Sequence, residues 1–139
     1  MALFSRKKKQ QPPVPQPRKD WLWTLTLNGR PTAQFDWADI VHGLDALDQD
    51  QDSFLILEQK DPSAPKRYWF LQSARALAGP HAGKYIVGCG CSTSQGPRLL
   101  EQYYDTSRDI IPLFAAAYRG EPLDLSGFED HSDFLPANS

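Results

Sequence analysis

Cys89-Gly90-Cys91 is the segment best equipped for chemistry in this chain. On a strand, residues two apart point to one face, so the two thiols could hold a metal or form a redox pair. Structural zinc takes four ligands. His42, His81 and His131 are the only histidines, and none stands at a usual ligand spacing from the cysteines. Redox dithiols are commonly spaced C-x-x-C, and a bridge between i and i+2 on a strand is strained. The pattern therefore predicts small residues where a helix crosses a sheet closely, with no metal and no cofactor. A Cys–His nucleophile pair drawing on His81 has no thiol-enzyme motif around it. The turn Gly79-Pro80-His81-Ala82-Gly83 predicts a solvated loop histidine.

Asp48, Asp50 and Asp52 copy positions 1, 3 and 5 of a calcium-binding EF-hand loop. Position 6 requires Gly and is Ser53; position 12 requires Glu and is Gln59. The segment that follows reads as a strand, so an EF-hand is rejected. What remains is a solvated helix exit or part of an acidic partner-binding face. Glu58 and Glu101 lie in strand-like segments, but spacing alone does not pair them for acid–base work. There is no G-x-G-x-x-G, P-loop, G-x-S-x-G or H-E-x-x-H motif. No catalytic residue is nominated, and the chain is read as non-enzymatic.

Charge is the other chemical resource. The 139 residues carry a formal net charge of -2, which hides an asymmetry. Residues 1–20 hold six Lys and Arg against Asp20, a formal +5, and the remaining nine basic and sixteen acidic residues give -7. The basic part includes Arg6, Lys7, Lys8 and Lys9, followed by a proline-rich run over 10–17. Such a run is extended polyproline II, and the arm over 1–20 is expected to be mobile and disordered. Its cations could touch an anionic membrane surface weakly, each contributing about 1 kcal/mol at best. Ala2 excludes N-myristoylation. The acidic body opposes nucleic-acid binding. Pro12 and Pro15 with Lys9 also fit a loose proline-rich ligand pattern.

These groups need a scaffold, and the composition supplies one. Apolar residues make up 40 % of the chain and aromatics 12 %, enough for one packed domain over 21–139. No apolar run approaches the roughly 18 residues of a membrane span. The basic start runs into Gln and Pro, so a secretory leader is not expected, two cysteines make no disulfide framework, and the cytoplasm is the expected location, with tethering to an anionic membrane through the basic arm as the alternative.

Trp21, Trp23, Leu25 and Leu27 alternate with threonines, which predicts a strand. Asn28-Gly29 then predicts a tight hairpin, and 30–35 a short edge strand limited by Pro31. Asp36 reads as the N-cap of a helix whose apolar stripe is Trp37, Ile40, Val41, Leu44 and Leu47. Four strand-like segments follow at 53–59, 67–73, 84–92 and 98–105, the last of which could also be helical. Thr106 and Asp109 resemble a capping box, and Pro112 places the helix start nearer Asp109 than Thr106. The helix carries Ile110, Leu113, Phe114, Ala117 and Tyr118 and stops at Gly120. The tail is acidic, yet its Leu and Phe residues predict partial docking. The order gives an α+β domain: an antiparallel sheet of about five or six strands with two amphipathic helices on one face.

The order of elements resembles a family. Trp37-Ala-Asp-Ile40 leads a helix, then come Phe54-Leu-Ile-Leu-Glu58, Tyr68 with Gln72, Tyr85-Ile-Val87, Phe114 with Tyr118-Arg-Gly120, and Phe128-Glu-Asp130. Over residues 35–131 this is similar to small bacterial immunity proteins of polymorphic-toxin and contact-dependent-inhibition systems. The strand at 84–92 departs by ending in Gly-Cys-Gly-Cys instead of an acidic residue. The resemblance implies a non-enzymatic domain that binds a protein partner, such as a cognate toxin. Charge suggests that a basic partner would meet an acidic surface. The candidates for that surface are Asp45, Asp48, Asp50, Asp52, Asp124, Glu129, Asp130 and Asp133.

Overall fold

The structure is a computed structural model and describes residues 14–19, 21–59, 70–93 and 96–132. Seven strands form one antiparallel sheet: β1 (Trp23–Leu27), β2 (Arg30–Thr32), β3 (Phe54–Gln59), β4 (Phe70–Arg75), β5 (Tyr85–Thr93), β6 (Gly96–Tyr104) and β7 (Glu129–Asp130). Their spatial order is β2-β1-β3-β4-β5-β6-β7, and every neighbouring pair runs antiparallel. Helix α1 (Trp37–Gln49) follows β2. A single 3-10 turn (Ser107–Asp109) and helix α2 (Ile111–Tyr118) follow β6. The α+β class is as expected. The strand count is corrected from five or six to seven, because tail residues Glu129 and Asp130 add a short strand on the β6 edge.

Local chemistry explains each boundary. Asn28 and Gly29 have φ of 51° and 89°, the left-handed pair that a two-residue hairpin needs. The expected edge strand ends early, at Thr32. Asp36 caps α1 reciprocally: it accepts from the Asp39 N–H, and Asp39 accepts from the Asp36 N–H. Thr106 accepts from the Asp109 N–H, but it caps only the 3-10 turn. The α-helix proper starts at Ile111 with Pro112 in its first turn, where a missing N–H breaks no bond. Of the strand expected over 67–73, residues 67–69 lie outside the described residues, and β4 runs on past 73 to Arg75.

Period-two alternation sorts the sheet into two faces. One cross-strand row on the first face reads Leu25, Leu57, Leu71, Cys89 and Leu100. The helices cover this face, with Ile40, Leu44 and Leu47 of α1 and Phe114 and Ala117 of α2 fully buried against it. Burying each large aliphatic stabilises by about 1.5–3 kcal/mol. Gly43 lets α1 settle closely, since a Cβ there would stand 2.7 Å from Leu27 Cδ2.

The reason expected for the glycines of the Cys89 segment is corrected. Cys89 and Cys91 face the helices, so Gly88 and Gly90 face the other way. A Cβ on Gly90 would lie 2.2 Å from Phe70 Cε2, and one on Gly88 would lie 3.1 Å from Gln72 Nε2. Neighbouring β4 side chains, not a helix, occupy the space. Residues 14–19 are described and touch the body: the Arg18 N–H donates to Tyr118 O at 2.9 Å. The body's contacts therefore reach back across the expected boundary at residue 20. Among the described residues, no helix is long and apolar enough to cross a membrane.

Candidate acidic binding surface

Helix α1 leaves through a tight turn. The Asp50 N–H donates to Ala46 O at 2.9 Å, and the Ser53 N–H donates to Asp50 O at 3.0 Å. The Asp50 carboxylate accepts from the Asp52 N–H at 2.9 Å. This turn leaves Asp45, Asp50 and Asp52 exposed. Among the described residues, none of the three has a cationic side chain in ion-pair range. The last turn of α1 contains no basic residue. Carboxylates near a helix C-terminus oppose its dipole, typically by about 0.3–1 kcal/mol each.

Asp48 behaves differently from its neighbours. One oxygen accepts the Tyr85 hydroxyl, and the other accepts the Ser107 hydroxyl at 2.8 Å. It thereby ties α1 to β5 and to the 3-10 turn. The Tyr85 phenol is held above its ordinary value, first by the hydrogen bond to Asp48, then by burial and by the Asp48 charge. The Arg75 guanidinium carbon, 5.4 Å from the Tyr85 ring centroid, pulls the other way. A cavity of about 440 Å³ opens here, lined by Asp48, Tyr85, Asp105, Thr106, Ser107 and Arg108.

That contact brings in two carboxylates that the sequence reading did not nominate, Asp105 and Asp109. Asp105 lies 3.4 Å from Lys84 Nζ, an exposed pair worth little. Burial raises the Tyr104 phenol, and the charges of Asp109 and Asp124 raise it further.

The tail carboxylates are satisfied locally. Asp124 accepts the Ser126 hydroxyl at 2.8 Å and its N–H at 3.1 Å, which hold its carboxyl below the ordinary range. Asp130 accepts the hydroxyl and the N–H of Ser132 and lies 3.6 Å from Arg98 Nε. The Ser132 hydroxyl is the first cause of its lowered value. His131 stands between Glu101 (Nδ1 to Oε1, 3.6 Å) and Glu129 (Nε2 to Oε2, 3.9 Å). Asp133, Arg6, Lys7, Lys8 and Lys9 lie outside the described residues.

The other candidate groups are also placed. Cys89 and Cys91 are free and buried. The two thiols interact with each other; this, together with burial, holds the Cys89 thiol above its ordinary value, and the same interaction holds Cys91 below its own. His81 stacks on Tyr103 with centroids 3.9 Å apart. Tyr103 pairs with Ile86 on the face opposite the cysteines, so the structure does not bring His81 to either thiol. Glu58 and Glu101 share that opposite face but lie three strands apart, about 14 Å at ordinary strand spacing. They do not form a paired-carboxylate centre. Among the described residues, no three His, Cys, Asp or Glu side chains gather as a metal ion would require.

No signal in the sequence joins Asp48 to Ser107 across 59 residues. The capping pattern at Thr106 marks the turn but not the element it packs against. No protein-family model, no curated protein and no solved structure matches the chain.

Proposed function

We propose that this chain is a non-enzymatic protein-binding module whose acidic surface engages a basic patch on a partner protein. The observation that carries this reading is the set of exposed carboxylates at the α1 exit, Asp45, Asp50 and Asp52, without cationic neighbours among the described residues. Their position against the helix dipole does nothing for the fold. Complementary charge would speed encounter and select partners. The tail carboxylates play a smaller part, because serines, Arg98 and His131 already engage them. Asp48 is a structural tie within the same surface. The resemblance in element order suggests a cognate toxin as the kind of partner.

The test is affinity capture from the source cell with the intact chain and with the triple variant Asp45→Asn, Asp50→Asn, Asp52→Asn. Asn keeps the acceptor that Asp50 offers to Asp52. The expected result is a basic partner whose association weakens several-fold in the variant and between about 50 and 300 mM salt, with a melting temperature no lower than that of the intact chain, since the lost carboxylates opposed the helix dipole. Equal binding by both chains would sink this reading, as would the recovery of no protein partner.

A further inference from the structure

Residues 14–18 read Val-Pro-Gln-Pro-Arg and lie against the body. Arg18 is the anchor. Its N–H donates to Tyr118 O at 2.9 Å, and its Nη1 reaches Gly120 O at 3.5 Å. Its guanidinium carbon stands 4.7 Å from the Trp21 ring centroid, a cation–π arrangement. Gly120 makes room for this side chain: a Cβ there would stand 2.3 Å from Arg18 Cδ.

Upstream the hold is lighter. Pro15 and Pro17 carry no N–H to donate. Gln16 turns its amide back toward Val14 O at 3.4 Å, and Val14 is 62 % exposed. Beneath this stretch lies an aromatic floor. The Tyr118 ring centroid is 5.9 Å from that of Phe35 and 6.0 Å from that of Trp37. Residues 14–17 and this floor together line a cavity of about 500 Å³, within the usual size of a ligand site. Aromatic-lined grooves accept polyproline segments because these are already extended and their low entropy makes ordering cheap.

We infer that the groove of Trp21, Phe35, Trp37 and Tyr118 recognises an extended proline-rich peptide bearing an arginine after its last proline, and that the chain's own residues 14–18 cover it in the free protein. A segment of this chemistry already sits there, anchored by its arginine over Trp21. A partner's proline-rich segment would displace the cover. The groove is separate from the acidic surface, so the two proposals stand or fall independently.

The probe is a synthetic peptide with the sequence of residues 12–19, titrated against tryptophan fluorescence. The proteins are the intact chain and full-length Pro15→Ser/Pro17→Ser, in which the Arg18 anchor remains. A tethered competitor acts at millimolar effective concentration, so the variant should bind the peptide at least about tenfold more tightly. A peptide with serines for prolines should bind neither protein. The intact chain supplies a readout that needs no variant: saturating peptide should speed hydrogen exchange at the Arg18 amide, now held by Tyr118 O. Equal affinity for both proteins, equal binding of the serine peptide, or unchanged exchange at Arg18 would each overturn the inference.

Discussion

On β3, Leu55 and Leu57 are fully buried under the helices, while their neighbours Phe54, Ile56 and Glu58 stay half-buried on the opposite face. The two faces share the same strands and the same register, yet they are closed by different means. Helices close the first with aliphatic and aromatic side chains. On the second, one cross-strand row reads Thr26, Ile56, Gln72, Gly88, Glu101 and Glu129, and no helix of the described residues covers it. There the strands cover themselves, with Phe70 lying over Gly90 and Gln72 over Gly88. The comparison teaches that a sheet in a small domain can reserve one face for stability. The other keeps only local packing, and most of its polar residues stay half-buried.

The largest test of this contrast compares truncations. Phe114→Ala, at the centre of the covered face, should cost about 3–5 kcal/mol in urea unfolding. Ile56→Ala, on the open face, should cost roughly 1 kcal/mol. Equal costs would mean that the second face is as tightly closed as the first.

A smaller effect sharpens how the open face packs. Gly90→Ala should destabilise by about 1–3 kcal/mol through overpacking against Phe70. Gly43→Ala should cost less, because a helical Ala recovers up to about 1 kcal/mol and the nearest atom is the movable end of Leu27. In a double-mutant cycle, Phe70→Ala should remove most of the Gly90→Ala penalty, a coupling of roughly 1 kcal/mol. Additive effects would show that the ring is not what the glycine accommodates.

The smallest effect concerns the rim of the covered face, where Asp48 meets Tyr85. Tyr85→Phe should cost about 1 kcal/mol at neutral pH by freeing one oxygen of Asp48. The folded phenol titrates above its ordinary value of 10.0, so on raising the pH the unfolded chain loses this proton first. The contribution is therefore complete below about pH 10 and is lost as pH rises through the folded value. Denaturation at about pH 8 and about pH 11 should show the gap between wild type and variant closing. A constant gap would mean that the Asp48–Tyr85 bond is not linked to the proton.

Much of the scaffold was legible because it follows from local rules. Asp36 with Asp39, Asn28-Gly29 and Gly120 each act within a few residues, and the period-two strands and the α1 stripe declare their buried faces directly. The sequence marked Cys89-Gly90-Cys91 as small but assigned the close approach to the wrong face. Alternation says that Gly90 opposes Cys89, but not that Phe70 from β4 would lie over it. The eight acidic candidates looked alike in sequence. In three dimensions Asp48 is a tie, Asp124 and Asp130 are satisfied by the serines two residues beyond them, and Asp45, Asp50 and Asp52 stay open. The turn that carries Asp105 and Asp109 comes against Asp48 only through the Ser107 contact.

By itself, then, the sequence determined most of the segments that become helix or strand, the caps and turns that bound α1 and the first hairpin, and that the residues beyond the arm carry excess negative charge. Hydrogen-bonding side chains, turn geometry and apolar periodicity act at short range and can be read one segment at a time. Only the tertiary structure decided which carboxylates remain unpartnered, which face of the sheet stays uncovered, and that Val14 to Arg18 lies over Tyr118. Each of these depends on groups far apart in the chain, whose meeting is fixed by how whole elements pack and not by any local preference.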